Sequence, residues 1–123
     1  MLVDTCGWIE WLVDGPLAET FGEHLAQPGE LIVPTSVQFE LYKWVKRERD
    51  ESRALEVIAL TEEAHVMPLS TSMALSAGDL ALSHRLSFAD ALIYATARRA
   101  GASLVTCDDH FDGLEGVIYH RKP

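Results

Sequence analysis

Residues 87–97 read Ser87-Phe88-Ala89-Asp90-Ala91-Leu92-Ile93-Tyr94-Ala95-Thr96-Ala97. The spacing predicts a helix N-capped by Ser87, with Asp90 three residues later in a capping-box pattern. Apolar residues cover more than one side of it. Phe88, Ala91, Leu92 and Ala95 form one stripe, while Ile93 and Ala97 share the Asp90 side. A helix apolar nearly all round is a buried helix. Asp90 is the only charge in the run, and a buried carboxylate must be paired, capped or bound to a metal. Taken alone, capping its own helix is the simpler role.

Downstream of this helix, Gly101 is a predicted C-cap, Ser103 to Thr106 a strand, and Val117-Ile118-Tyr119 a last strand. Upstream lie a helix from Thr71 to about Arg85 and a short strand at His65-Val66-Met67-Pro68. Another amphipathic helix precedes them, running through Leu55, Ile58 and Ala59 to about Glu63. Beyond the charged corner Arg49-Asp50-Glu51-Ser52, a further helix carries Val37, Leu41, Trp44 and Val45 at helical spacing. Thr35 is its predicted cap, with Gln38 at the box position. Glu30 to Val33 reads as a buried strand closed by Pro34. The chain opens with apolar Leu2-Val3 ending on Asp4. The helical pattern Trp8-Ile9-Trp11-Leu12 follows, broken at Asp14-Gly15-Pro16, and then a helix from about Leu17 to Ala26. Short, continuously apolar strands alternating with helices indicate an α/β fold, a three-layer sandwich with a central, mainly parallel sheet flanked by helices. No repeat or linker divides it, so residues 1–123 form one expected domain.

Composition narrows the function classes. The 123 residues are 48% apolar and 24% charged, ordinary for a globular chain. A formal charge of −9 argues against broad nonspecific nucleic-acid binding, which a basic face normally supplies. Any phosphate-bearing substrate must therefore be drawn in by metal and by local basic stripes. No apolar run approaches the ~20 residues of a membrane span, and the start Met-Leu-Val-Asp lacks a basic signal-peptide opening. Two cysteines, Cys6 and Cys107, are too few for a disulfide scaffold, so a cytoplasmic protein with reduced thiols is expected.

The acids then fall into place. In a parallel sheet, ligands bind outside the carboxyl ends of the strands. Asp4 ends the first strand and Asp108 follows the strand ending at Thr106. Asp90 begins a helix that runs antiparallel to that strand, so its N-terminus reaches the same rim. Glu40 lies early in the helix that follows Val33. Each has a simpler role: a cap for Asp4, an i+3 pair with Lys43 for Glu40, a loop acid beside Asp109 and Asp112 for Asp108. Four carboxylates converging from four segments need a cation to ionise together, and oxygen-only ligands select Mg²⁺ or Mn²⁺ over zinc. Such a site suits phosphodiester hydrolysis. Lys43 and Arg47 share the Glu40 side of their helix, with Lys46 adjacent. This stripe is a candidate contact for substrate phosphates, weighed against an ordinary solvated face.

Val3-Asp4-Thr5 with Trp8-Ile9-Glu10, Gln38-Phe39-Glu40-Leu41, Phe88-Ala89-Asp90-Ala91 and Leu104-Val105-Thr106-Cys107-Asp108 together resemble the PIN-domain ribonucleases, and more narrowly the VapC toxins of toxin–antitoxin pairs. The resemblance covers the whole chain. It implies Asp4, Glu40, Asp90 and Asp108 as an acidic metal-binding quartet, with Thr106 as a hydroxyl that orients water or an acid. It also implies Mg²⁺- or Mn²⁺-dependent RNA endonuclease activity, commonly on tRNA or ribosomal RNA, a homodimer, and inhibition by a cognate antitoxin. Some relatives carry a second acid two positions after the one matching Asp108. Here that position is His110, with Asp109 and Asp112 as the nearby stand-ins. Two rivals are a PIN-like module that only binds a partner and a phospho-accepting receiver domain. The receiver fits less well, since Asp4 is followed by Thr5-Cys6 and no lysine directly follows the last strand.

Overall fold

A computed structural model describes residues 1–123. Its strands are short: β1 (Leu2–Val3), β2 (Ile32–Pro34), β3 (His65–Met67), β4 (Leu104–Thr106) and β5 (Val117–Tyr119). All pairings are parallel, in the order β3-β2-β1-β4-β5. Six helices flank the sheet: α1 (Thr5–Leu12), α2 (Ala18–Leu25), α3 (Thr35–Glu48), α4 (Glu51–Thr61), α5 (Thr71–His84) and α6 (Phe88–Ala100). No helix is long and apolar enough to cross a membrane.

The central strands are continuously apolar because helices cover both faces of a parallel sheet. Leu2, Val3, Leu104 and Val105 are buried, and Phe21, Val37, Leu41, Ile93 and Phe111 close over them. Helix α6 is buried from Ala91 through Ala97, as its composition requires, and ends on Gly101 in the left-handed conformation. The order of the strands reverses between β1 and β4: the chain first builds outward through β2 and β3, then returns to the other side of β1. Helices on the two sides of this switch point diverge and leave a crevice at the carboxyl edge.

Three local expectations fail. Thr35 is the first helical residue and not the cap; Pro34 holds that place with no side-chain bond. Gln38 instead donates to the Thr61 hydroxyl at 3.0 Å, tying α3 to α4. In α4, Ala54, Val57 and Thr61 face inward while Leu55 is exposed, so the pairing of α3 with α4 chose a different stripe. Phe88 is expected in the buried stripe of α6 but is 79% exposed: the buried run of α6 starts only at Ala91, and Phe88 lines a cavity with Thr5, Phe39 and Glu40 instead of entering the core.

Candidate active site

The reversal of strand order puts Asp4 and Asp108 side by side. The Asp4 amide donates to the Val105 carbonyl at 2.9 Å, which holds Asp4 at the end of β1 while it caps α1. Its Oδ1 accepts from the Thr5 amide at 2.8 Å. Its Oδ2 accepts from the Thr106 hydroxyl at 2.8 Å and the Cys6 thiol at 3.5 Å. No lysine, arginine or histidine pairs with it. Burial therefore pushes the Asp4 carboxyl well above the usual range, and Cys6 adds to this; the Thr106 and Thr5 hydrogen bonds oppose it. Thr106, fully buried, also accepts from the Asp108 amide at 2.9 Å, so one hydroxyl links the two acids.

Asp108 caps a short 3₁₀ turn, Asp109–Phe111, accepting from the His110 amide at 2.9 Å. That turn swings the His110 ring over the rim. Its Nδ1 lies 3.2 Å from Asp90 Oδ2 and 3.2 Å from Asp108 Oδ1. Burial, with the Asp108 charge second, raises the Asp90 carboxyl; Asp108 first and Asp90 second raise the His110 imidazole. Ser87 accepts from the Asp90 amide at 3.3 Å, so Asp90 sits in a capped first turn while its carboxylate faces the site.

Glu40 is reached through Thr5, whose hydroxyl donates to Glu40 Oε1 at 2.7 Å. The alternative pair with Lys43 does not form. Lys43 instead lies over the Phe39 ring, 5.6 Å from its centroid, and Arg47 pairs with Glu48 at 3.1 Å. Glu40, Lys43 and Arg47 line one cavity of about 360 Å³ with Thr5, Phe39 and Phe88. On the other side of Asp90, a cleft of about 260 Å³ is lined by Arg85, Leu86, Ser87, Asp90 and His110.

The structure thus joins Asp90 to Asp108 through the His110 ring, the Asp108 amide to Asp4 through Thr106, and Glu40 to the start of α1 through Thr5. Of the residues that follow Asp108, it is His110, and not Asp109 or Asp112, whose side chain lies beside Asp90 and Asp108. Sequence reasoning noted His110 only as a departure, because its aim depends on the 3₁₀ turn. Arg85 was passed over as a helix end. Its left-handed backbone, φ 56°, terminates α5 and sets the residue at the rim of the smaller cleft.

These residues fit a divalent cation on two counts. Asp90, Asp108 and His110 offer ligand atoms all within 4.8 Å of one another, which brings two carboxylates close together. Asp4 is a buried carboxylate with three donors and no counter-charge, a state that an added cation relieves.

No curated protein sequence matches the chain significantly. Among solved structures, a toxin–antitoxin complex from Klebsiella pneumoniae superposes with a TM-score of 0.83 at 23% identity, covering 98% of each chain. VapC20 of Mycobacterium tuberculosis, a sarcin–ricin-loop-cleaving toxin, gives a TM-score of 0.76 at 18% identity, again over 98% of each chain. A VapBC2 complex from Rickettsia felis, bound to a DNA fragment from its promoter, gives 0.72 at 16% identity over 98% of this chain and 96% of the other. At these identities the likeness is one of fold. The sequence itself matches the PIN-domain family model over residues 1–117, and with that match across nearly its whole length the chain belongs to the PIN-domain family.

Proposed function

We propose that this protein is a Mg²⁺- or Mn²⁺-dependent RNA endonuclease and the toxin of a toxin–antitoxin pair. The observation that carries the reading is the linked set of acids at the switch point, in which the buried Asp4 carboxylate has no cation of the chain to balance it. Asp4, Glu40, Asp90 and Asp108 would hold the metal. A cation bound there supplies Lewis acidity to activate a water and to neutralise charge on the scissile phosphate. Thr106 keeps Asp4 and Asp108 in register, Thr5 orients Glu40, and His110 balances Asp90 and Asp108. Lys43 and Arg47, on the wall of the larger cavity, receive substrate phosphates on a surface otherwise dominated by acids.

Family membership and the fold shared with VapC structures support a nuclease toxin. Ribosomal RNA or tRNA is the proposed substrate class, and the VapC20 neighbour is described as cleaving the sarcin–ricin loop. A cognate antitoxin is the proposed partner, as in the complexes above. A homodimer is proposed through α5, where Leu75 and Leu82, seven residues apart on one side, are both largely exposed.

Calorimetric titration with Mn²⁺ tests this first. Wild type is expected to bind and Asp90→Asn to bind at least about 10-fold more weakly. RNA cleavage by the wild type, absent in Asp90→Asn, completes it. A folded wild type that binds no Mn²⁺ removes the nuclease mechanism and leaves a partner-binding role.

A further inference from the structure

Two histidines that the acidic site does not use meet nitrogen to nitrogen. His24, in the last turn of α2, and His120, the residue after β5, are 96 positions apart in the chain. Their Nε2 atoms lie 3.3 Å from each other. The ring centroids are 5.4 Å apart, farther than the nitrogens, so each ring points its Nε2 at the other. Neither ring is part of an ion pair.

Both rings are held in place. The His120 amide donates to the Thr106 carbonyl at 2.8 Å, which fixes the chain just beyond β5. Its ring stands edge-on to fully buried Phe21, with centroids 5.6 Å apart. Phe21 and His24 are three residues apart and share one face of α2. On its other side, His24 Nδ1 lies 3.1 Å from the Met1 sulfur. A thioether accepts a hydrogen bond and never donates one. In this contact Nδ1 therefore carries the proton, and Nε2 of neutral His24 keeps its lone pair. Burial, with the His120 charge second, holds the His24 imidazole below its usual pKa and so favours the neutral form.

The His24 lone pair thus faces a second nitrogen, and either a proton on His120 or a metal ion fills the space between them. The separation favours the ion. N–H hydrogen bonds to oxygen span ~2.7–3.2 Å, and this gap is wider. Two imidazole nitrogens bound at ~2.0–2.1 Å to one tetrahedral ion stand about 3.3–3.4 Å apart. From this geometry we propose that His24 and His120 bind a Zn²⁺ ion, with solvent in its two remaining positions. Imidazole suits zinc, whereas the carboxylates at the rim suit harder cations, so the two sites differ in the ion they select. The zinc would tie the segment after β5 to α2. Strand β5 is an edge strand paired only with β4, and the ion gives it a second attachment. The proposal does not depend on the nuclease reading.

The test is calorimetric Zn²⁺ titration of untagged protein in saturating Mg²⁺. Wild type is compared with His24→Gln, His120→Gln and Asp90→Asn, and circular dichroism checks that each variant folds. Wild type is expected to bind Zn²⁺, and each glutamine variant to bind it at least about 10-fold more weakly. Asp90→Asn should keep the wild-type affinity. Zn²⁺ should also raise the thermal midpoint of wild type and not that of the glutamine variants. Imidazole ¹⁵N spectra of wild type provide a readout that needs no variant: Zn²⁺ is expected to shift Nε2 of His24 and His120. Absence of those shifts, or unchanged affinity in both glutamine variants, overturns the proposal. A loss confined to Asp90→Asn overturns it too, since the zinc would then sit among the acids. None of these outcomes bears on the Mn²⁺ titration that tests the nuclease reading.

Discussion

Helix α1 carries a buried carboxylate at each end, and the two have opposite surroundings. Near its C-terminus Glu10, 7% exposed, accepts from the Leu17 amide at 3.1 Å and pairs with Lys122 at 3.3 Å. At its N-terminus Asp4, 4% exposed, has hydrogen-bond donors on both oxygens and no cation. Glu10 is a structural acid whose counter-charge is part of the chain. Its carboxylate closes the turn before α2 so tightly that a Cβ on Gly15 would meet it at 2.2 Å. Asp4 is oriented but not neutralised. A carboxylate held this way costs stability unless a cation arrives from outside, and that is the electrostatic signature of a binding site.

This contrast is open to direct test. Asp4→Asn is expected to weaken Mn²⁺ binding by at least about 100-fold, without lowering the thermal midpoint of the metal-free protein at neutral pH. A large loss of midpoint would show that Asp4 is structural after all. Glu10→Ala should do the reverse: a loss of about 2–3 kcal/mol in denaturant unfolding, from the unpaired Leu17 amide and the space left behind, with Mn²⁺ affinity unchanged. Gly15→Ala, which must displace the Glu10 carboxylate, is expected to cost about 1–3 kcal/mol in the same measurement.

The acids at the rim also predict a pH dependence. Burial and the Asp108 charge raise the Asp90 carboxyl, so the folded chain holds that proton more tightly than the unfolded chain does. The associated stability is full below the ordinary carboxylate pKa of about 4 and is lost as pH rises through the raised folded value. His110, raised by its two carboxylates, contributes fully below about pH 6.5 and loses its contribution above its own raised value. Metal-free Asp90→Asn, free of the Asp90 cost, should therefore gain a few degrees of thermal midpoint on wild type as pH rises from about 4 to 8. A constant difference would mean that Asp90 carries no such penalty. The smallest effect is expected from Lys122→Met. The lysine is more than half exposed, so its loss should change stability by under about 1 kcal/mol.

Much of the fold was legible because it follows from local periodicity. The all-round apolar run of 91–97 demanded a buried helix, and continuously apolar Leu2-Val3 and Leu104-Val105 demanded interior strands. Gly101 announced its helix end through the conformation that only glycine adopts freely. Where two faces of a helix were comparably apolar, the sequence did not choose between them. Leu55 was expected inward, but α4 turns Ala54 and Val57 to α3 because small side chains allow closer helix approach. Thr35 has the chemistry of a cap, yet the strand runs one residue further and Pro34 takes the position.

By itself, then, the sequence determined the alternation of strands and helices, the parallel sheet, and which acids end which elements. Those properties depend on neighbours a few residues away. Only the tertiary structure decided the rest: that Thr106 bridges Asp4 and Asp108, that Thr5 reaches Glu40, that His110 sits between Asp90 and Asp108, and that Phe39 and Phe88 share one groove. The long-range contacts among these, His110 with Asp90, Thr5 with Glu40 and Thr106 with Asp4, join residues 20, 35 and 102 apart in the chain. Their geometry is set by how β1 and β4 meet at the switch point and by where the turns beyond them aim a side chain, and no local pattern encodes either.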